Sequence, residues 1–352
     1  MFVNGLGTAN PPRRYTKAQC WDAFMASDWF QRLDRRAHAI VETVLLHDNG
    51  IEARRLALNS LDECFQIDPD TLHLRFLTHA PALAAEAGAK ALDEAKLAPN
   101  DIGAVIISTC TGYLCPGLSS YVIERLALPR DIQAFDLVGQ GCGAALPNLR
   151  LAKALLAAGD AQHVLSICVE VSSAAMYLDN DPGVLISACL FGDGAGAAVL
   201  SGASQPGRRA VELTTAHSLV NPEERNALRF ESRHGMLRNV LTRPVPRLAA
   251  DHARQVLTMA LDETGLVQAD ITAWIMHAGG RDVLKALQRR LGLEPKELGY
   301  SAAMLREYGN MSSAFVYFVL QAALDDRAPL GWWWMSSFGA GFSCHGALLR
   351  VA

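Results

Sequence analysis

Cys142 stands between two glycines in AFDLVGQGCGAALPNLRLAKALLAAG, residues 134 to 159. AFDLVG reads as a short buried strand. From Ala144 onward Leu146, Leu149, Leu151, Ala154 and Leu155 recur at roughly helical spacing. The cysteine is therefore expected at a strand-to-helix turn, where unpaired N–H groups and the positive end of the helix dipole favour a thiolate. The flanking glycines let a substrate approach the backbone closely. This is the setting of a nucleophile.

The elements that must position it are duplicated. Sliding the chain by 169 positions sets AKALDEAKLAPNDIGAVIIS against LTMALDETGLVQADITAWIMH, with no gap. Ala91, Leu92, Asp93, Glu94, Leu97, Asp101, Ile102, Ala104 and Ile106 then face identical residues at 260, 261, 262, 263, 266, 270, 271, 273 and 275. Ordinary residue frequencies give roughly one identity over such a span. A duplicated helix-strand unit follows. About 33 residues after each strand a glycine opens a helix, at Gly141-Cys142 and at Gly309-Asn310. Later, FGDGAGAAVL from Phe191 is echoed by FGAGFSCHGALL from Phe338, each a glycine turn leading into a strand. The expected halves are 1–205, carrying the nucleophile, and 206–352.

Packing such halves together brings the two helix mouths, with Cys142 and Asn310, to pseudo-equivalent places, while the second-half strand ends at His277. Cysteine thiolate paired with imidazolium suits acyl transfer from a thioester, because the exchange keeps the acyl group activated. An amide donor beside a histidine stabilises an enolate or oxyanion, as generating a carbanion from a carboxylated thioester requires. The N–H of Cys142, with one from the Gly339 to Gly341 turn, is the expected second oxyanion site. Cysteine proteases also use Cys, His and Asn, but no papain or caspase signature surrounds this cysteine.

Composition excludes other classes. The 352 residues are 50% hydrophobic and 19% charged, with a formal net charge of -4, so nothing global attracts nucleic acid or anionic membranes. No apolar run approaches a membrane span, and the amino terminus lacks a signal-peptide pattern. The eight cysteines show no CxxC and the ten histidines no HExxH, which gives a metal site no support. Scattered free thiols suggest the cytoplasm. Arg32, Arg35 and Arg36 read as a solvated helix face or a phosphate-binding rim. Helices are expected over 80–98 and 117–127, and a buried strand over 103–109. Glu170 reads as structural and Asp193 as a turn residue.

At GTANPP, the Cys142 helix, LFGDGAGA at 190 to 197, HAGGRDVL at 277 to 284, EYGNMSSA at 307 to 314 and FGAG at 338 to 341, the chain resembles the thiolase superfamily. Within that superfamily it resembles type III polyketide synthases, the chalcone and stilbene synthase family. The resemblance implies a duplicated, five-layered αβαβα fold. It implies a homodimer that takes an acyl-CoA starter on Cys142, with His277 and Asn310 activating the cysteine and driving decarboxylation of malonyl-CoA. No cofactor beyond the CoA thioesters is implied. Phe191 matches a gatekeeper phenylalanine between CoA tunnel and cavity. Cys110-Thr111 stands where plant enzymes have threonine-serine, and Cys115 where a methionine reaches across the dimer. Ser172 and Ala175 replace threonines, and Arg238 aligns with a second gatekeeper phenylalanine. Ser312, beside the Asn310 helix, is a cavity residue or a helix cap, and Arg54 and Arg55 are the candidates for contacting CoA.

The implied reaction is starter loading, decarboxylative Claisen extension, and cyclisation to a resorcinol, pyrone or related aromatic. The alternatives are an initiating 3-oxoacyl-ACP synthase, which would be expected to show a His-Gln-Ala-Asn type segment in place of HAGG, and a biosynthetic thiolase, for which Cys344 is the only second cysteine base. A non-enzymatic alternative is an inert thiolase-fold partner subunit.

Overall fold

The computed structural model describes residues 1–352. The first half runs β1 (Phe2–Ala9), β2 (Arg14–Thr16), α1 (Lys17–Ala26), α2 (Asp28–Arg32), α3 (Arg35–Leu46), β3 (Ala53–Arg55), α4 (Pro69–Ala95), β4 (Ala104–Ser108), α5 (Leu118–Leu126), β5 (Gln133–Leu137), α6 (Ala145–Ala158), β6 (His163–Glu170), α7 (Pro182–Leu190) and β7 (Gly194–Ser201). The second runs β8 (Val211–Val220), β9 (Leu228–Arg233), β10 (Met236–Leu241), α8 (Val245–Thr264), β11 (Ile271–Met276), α9 (Arg281–Leu291), α10 (Gly299–Tyr308), α11 (Phe315–Asp325), β12 (Gly331–Gly339) and β13 (Ser343–Val351). No helix is long and apolar enough to cross a membrane.

Nine strands join in the order β11-β12-β13-β8-β1-β7-β6-β4-β5. The two halves meet in this sheet at a single pair, Phe2 opposite Glu212. α6 packs on β4 and β6 of one half and on β12 and β13 of the other, and α11 likewise touches β1 and β7, then β11 and β12. Both helices are thus enclosed between the halves of the sheet. α4 and α5 cover the outer face of the first half, and α8 covers that of the second with α9 packed beside it. The five αβαβα layers expected from the sequence are all present. Strands buried on both faces must be apolar throughout, and β4, β7, β12 and β13 are buried along nearly their whole length.

The repeated unit is visible as helix, one 3-10 turn and strand: α4, Pro99–Asp101, β4 in one half and α8, Gln268–Asp270, β11 in the other. In each copy an aspartate closes the turn, Asp101 accepting from Ala98 N and Asp270 from Val267 N. α4 begins at Pro69 rather than near 80. Asp68 caps it by accepting from Thr71 N, and Pro81 is accommodated, buried, inside the helix. α4 lies directly on β1 because Gly5 and Gly7 have no side chain; a Cβ at either would come within 2.1 Å of a carbonyl oxygen of α4. β5 is not the buried strand expected. It pairs only with β4 at the sheet edge, and its residues alternate between exposed and half-buried.

Candidate active site

The Cys142 turn is built from backbone. After β5 the chain passes Gly139 (φ 84°) and Gly141 (φ 54°), left-handed conformations that suit glycine, and closes one 3-10 turn at Gly141–Gly143 before α6. Gly339, at the end of β12, lies so close that a Cβ there would be 2.2 Å from Gln140 O and 2.7 Å from Gly143 N. Ala340 N would be 3.0 Å from a Cβ on Gly141. The expected glycine loop therefore rests on the Cys142 turn through Gly339 and Ala340, while Gly341 faces Ser343 instead. Ser337 Oγ fastens the arrangement by donating to Gly143 O at 3.1 Å.

The second helix mouth sits against the first. Asn310 N donates to Leu190 O (2.9 Å), and Asn310 O accepts from Gly192 N (3.0 Å), so the Asn310 and Phe191 backbones form a bridge. Asn310 Oδ1 accepts from Ser312 N at 2.8 Å, and Nδ2 points to Gly279 O at 3.4 Å, tying the amide to the loop that follows His277. Ser312, at φ 51°, aims its hydroxyl at Cys142 Sγ, 3.2 Å away. The ring of His277 stands edge-on to Phe315 and Phe338, centroids 5.4 and 4.9 Å distant. Those phenylalanines follow the Asn310 turn and precede Gly339, the two walls of the Cys142 site.

Burial governs the electrostatics. Desolvation pushes the Cys142 thiol up to about 12, opposed by the Ser312 hydroxyl and by the residue's own N–H. His277 is buried with neither ring nitrogen hydrogen-bonded, and burial lowers it to about 3. In the free chain burial thus works against the thiolate-imidazolium pair expected from the sequence, favouring thiol over thiolate and imidazole over imidazolium.

Behind Ser312 lies Glu170, fully buried at the end of β6. Its carboxylate accepts from Cys110 N (3.0 Å), Thr111 Oγ1 (2.9 Å), Ser312 Oγ (3.2 Å) and Ser313 Oγ. Desolvation raises its pKa, and the hydrogen bonds from Ser313, Cys110 and Thr111 oppose that rise. Cys110 Sγ touches both Glu170 Oε1 and Ser312 Oγ, each at 3.3 Å, so Ser312 is the junction of two thiols and a carboxyl. Asp193 is likewise no simple turn residue. It is buried and accepts from Ala57 N, Ser173 N and Ser173 Oγ, locking the segment around Ser172 in place.

Cys110, Thr111, Ser172, Ala175 and Phe191 line one cavity with about 490 Å³ of atom-free space, part of it continuous with solvent. Three other candidates do not line it. Cys115 is exposed in the single chain. Ser312 lies between Cys110 and Cys142. Arg238 is turned away, its guanidinium bound to Asp179 (2.9 Å), Glu231 (3.0 Å) and Asp181 (3.3 Å). Strand parity is the reason: on β10 the next residue, Asn239, faces the cavity together with Phe230, its partner across the β9-β10 ribbon. Both were missed from the sequence, where only that alternation could have found them.

Arg54 is also corrected. It is buried, and its guanidinium donates to Ala188 O (2.7 Å), Phe191 O (3.0 Å) and Cys20 Sγ (3.3 Å), leaving it a brace for the α7 end rather than a surface group. Arg55 donates to Pro12 O and pairs with Glu307 at 3.6 Å. Cys344 lies fully buried near the start of β13, opposite Leu219 and Phe338, and burial pushes its thiol up to about 12. That is not the setting of a catalytic base.

A doubled αβαβα sandwich, with a cysteine at one central helix mouth and an asparagine at the other, defines a condensing enzyme of the thiolase-like fold. Residues 62–225 match the FAE1/type III polyketide synthase-like protein family, and residues 212–352 match the C-terminal domain of chalcone and stilbene synthases. The chain belongs to the type III polyketide synthases, enzymes of the acyltransferase class. Among its relatives, 3,5-dihydroxyphenylacetyl-CoA synthase of Streptomyces toyocaensis is 29% identical, over 99% of this chain and 89% of that protein. Pks18 of Mycobacterium tuberculosis, an alpha-pyrone synthesis polyketide synthase-like protein, is 27% identical over 99% and 91%. The crystal structure of PKS-I from the brown alga Ectocarpus siliculosus superposes with a TM-score of 0.90 at 26% identity, covering 99% of this chain and 98% of that one. The C-terminal type III domain of Steely1 from Dictyostelium shares the fold, with a TM-score of 0.89 at 23% identity and the same coverage.

Proposed function

We propose that the polyketide synthase reaction of this chain runs on Cys142, with His277 and Asn310 as its partners and CoA thioesters as its only small-molecule requirement. The observation that carries this reading is the convergence of the two helix mouths on Cys142 Sγ, through Ser312, beside the Phe191 cavity.

His277, whose ring nitrogens have no hydrogen-bond partner within the chain, takes the thiol proton. The thiolate attacks the starter thioester, the C–S bond to CoA breaks, and CoA leaves with the proton from His277. Malonyl-CoA then loses CO2, and the enolate oxygen is held by His277 and Asn310 Nδ2. Its carbon attacks the acyl carbonyl on Cys142, whose oxygen is held by backbone N–H at the Cys142 turn and the adjoining Gly339 loop. Cys142 is expelled, and the lengthened chain on CoA reloads or cyclises. Resorcinol-type rings or pyrones are the proposed products, in line with the names of the two relatives.

The working unit is proposed to be a homodimer. The edge of β5 is unpaired, and the exposed Val138 and Tyr113 follow β5 and β4, beside Cys115. All eight cysteines are free thiols, which fits the cytoplasm. Mass spectrometry of products from malonyl-CoA with a panel of acyl-CoA starters tests the reaction. Cys142→Ala should form no polyketide, and wild-type product formation by that variant would overturn the assignment.

A further inference from the structure

Every Ser, Thr and Cys side chain on the cavity wall but one is already committed to protein. Thr111 Oγ1 and Cys110 Sγ donate to Glu170, Ser173 Oγ to Asp193, and Ser187 Oγ to Gly183 O. Ser172 Oγ is the exception. It is buried without a hydrogen-bond partner, and so is Asn239 Oδ1 on the same wall. Folded proteins rarely leave such atoms unpaired, and a ligand that pairs them is the natural explanation where they share a cavity.

The two are brought together by construction. The Ser172–Ala175 turn packs against β10. Asn239 is forced inward by its neighbour: Arg238, one residue away and on the opposite face, is clamped outside by Asp179, Asp181 and Glu231. Phe230, paired with Asn239 across the ribbon, supplies an apolar face beside the amide.

We propose that Asn239 and Ser172 form a polar subsite that grips oxygen atoms of the growing poly-β-ketone and so decides which carbons meet on ring closure. The inference rests on the polyketide synthase reading. A saturated starter tail such as hexanoyl offers no group for such a site. The extended chain does, because it carries oxygen on alternate carbons and enolises readily. The Ser172 hydroxyl donates to a keto oxygen, and Asn239 Oδ1 accepts from an enol hydroxyl. The grip is therefore engaged only after extension, and it acts on the fate of the chain rather than on loading.

The test incubates the full-length enzyme, Ser172→Ala and Asn239→Leu with malonyl-CoA and either acetyl-CoA or hexanoyl-CoA. Products are resolved by liquid chromatography and mass spectrometry, and CO2 release is followed in parallel. The ratio of early-released lactones to the longest cyclised product should rise about tenfold in each variant, the effect of losing one buried hydrogen bond. An unchanged ratio in both variants while CO2 is still released would overturn the subsite and leave the reaction intact; a purely structural role, lowering all products together, gives this same result. Absence of CO2 release by the parent enzyme would instead overturn the reaction on which the subsite depends. Should Asn239→Leu lose its thermal unfolding transition, Ser172→Ala decides the matter alone.

Discussion

Replacing Ser312 by alanine removes the one hydroxyl that reaches Cys142 Sγ. Ser312 Oγ has a single proton and two acceptors at 3.2 Å, Cys142 Sγ and Glu170 Oε1. Glu170 already holds Cys110 N, Thr111 Oγ1 and Ser313 Oγ, so the Ser312 proton is free to turn to sulfur as negative charge develops there. A hydrogen bond to a charged group contributes about 1.5 to 3 kcal/mol. At about 1.4 kcal/mol per pKa unit, its loss raises the Cys142 thiol by about one to two units. Below its pKa a thiol alkylates in proportion to its thiolate fraction, so modification of Cys142 at pH 7.5 should slow by about ten- to a hundredfold. Peptide-resolved iodoacetamide labelling between pH 6 and 9 measures this, with the Cys142 rate of the parent protein as the reference. Alanine adopts the φ of 51° no less readily than serine, and Ser312 N keeps its bond to Asn310 Oδ1. Alkylation of Cys142 in Ser312→Ala at the parent rate or faster would show that the hydroxyl serves Glu170 instead, refuting the junction.

Gly339→Ala sets a Cβ against Gln140 O and Gly143 N, so the Cys142 turn must shift; polyketide formation should fall by about a hundredfold with little change in far-UV circular dichroism. His345 packs on Gly143, and burial, with help from Arg150, lowers its pKa to about 4. Below the ordinary value of about 6.5 the unfolded chain takes up a proton that the folded one refuses, so stability is lost as pH falls through this window. His345→Gln removes that dependence, and the stability difference between parent and variant should move by about 3 kcal/mol in the variant's favour between pH 7 and 4, as read by urea titration. Leu320→Ala empties a buried site on α11, between the two halves of the sheet, and should lower unfolding free energy by about 2 to 5 kcal/mol in the same titration.

Local patterns carried the fold far. The 169-residue repeat was legible because helix, turn and strand keep their residues in both copies, down to Asp101 and Asp270 closing equivalent 3-10 turns. The places of Cys142, Asn310 and Gly339 followed from glycines that the backbone contacts require. Three-dimensional burial was not legible. Arg54 looked like a surface cation because nothing local shows that Ala188, Phe191 and Cys20 close around it. The helix expected over 80–98 starts at Pro69 instead, and tertiary packing carries it through Pro81. Arg238 and Asn239 differ by one position, and only pairing with β9 decides which faces inward. The pKa shifts of Cys142 and His277 arise from desolvation, which depends on everything folded around them.

The bridge between Phe191 and Asn310 bears on how this enzyme could be re-engineered. Leu190 O and Gly192 N grip both sides of the Asn310 backbone, and Arg54 holds Phe191 O from behind. Phe191 and Asn310 are thus one mechanical part. A library at position 191 will mix altered pocket size with altered chemistry in every clone. Positions 175 and 230 line the same cavity without sharing that bridge, and they are where product size can be tuned while turnover serves as an independent readout.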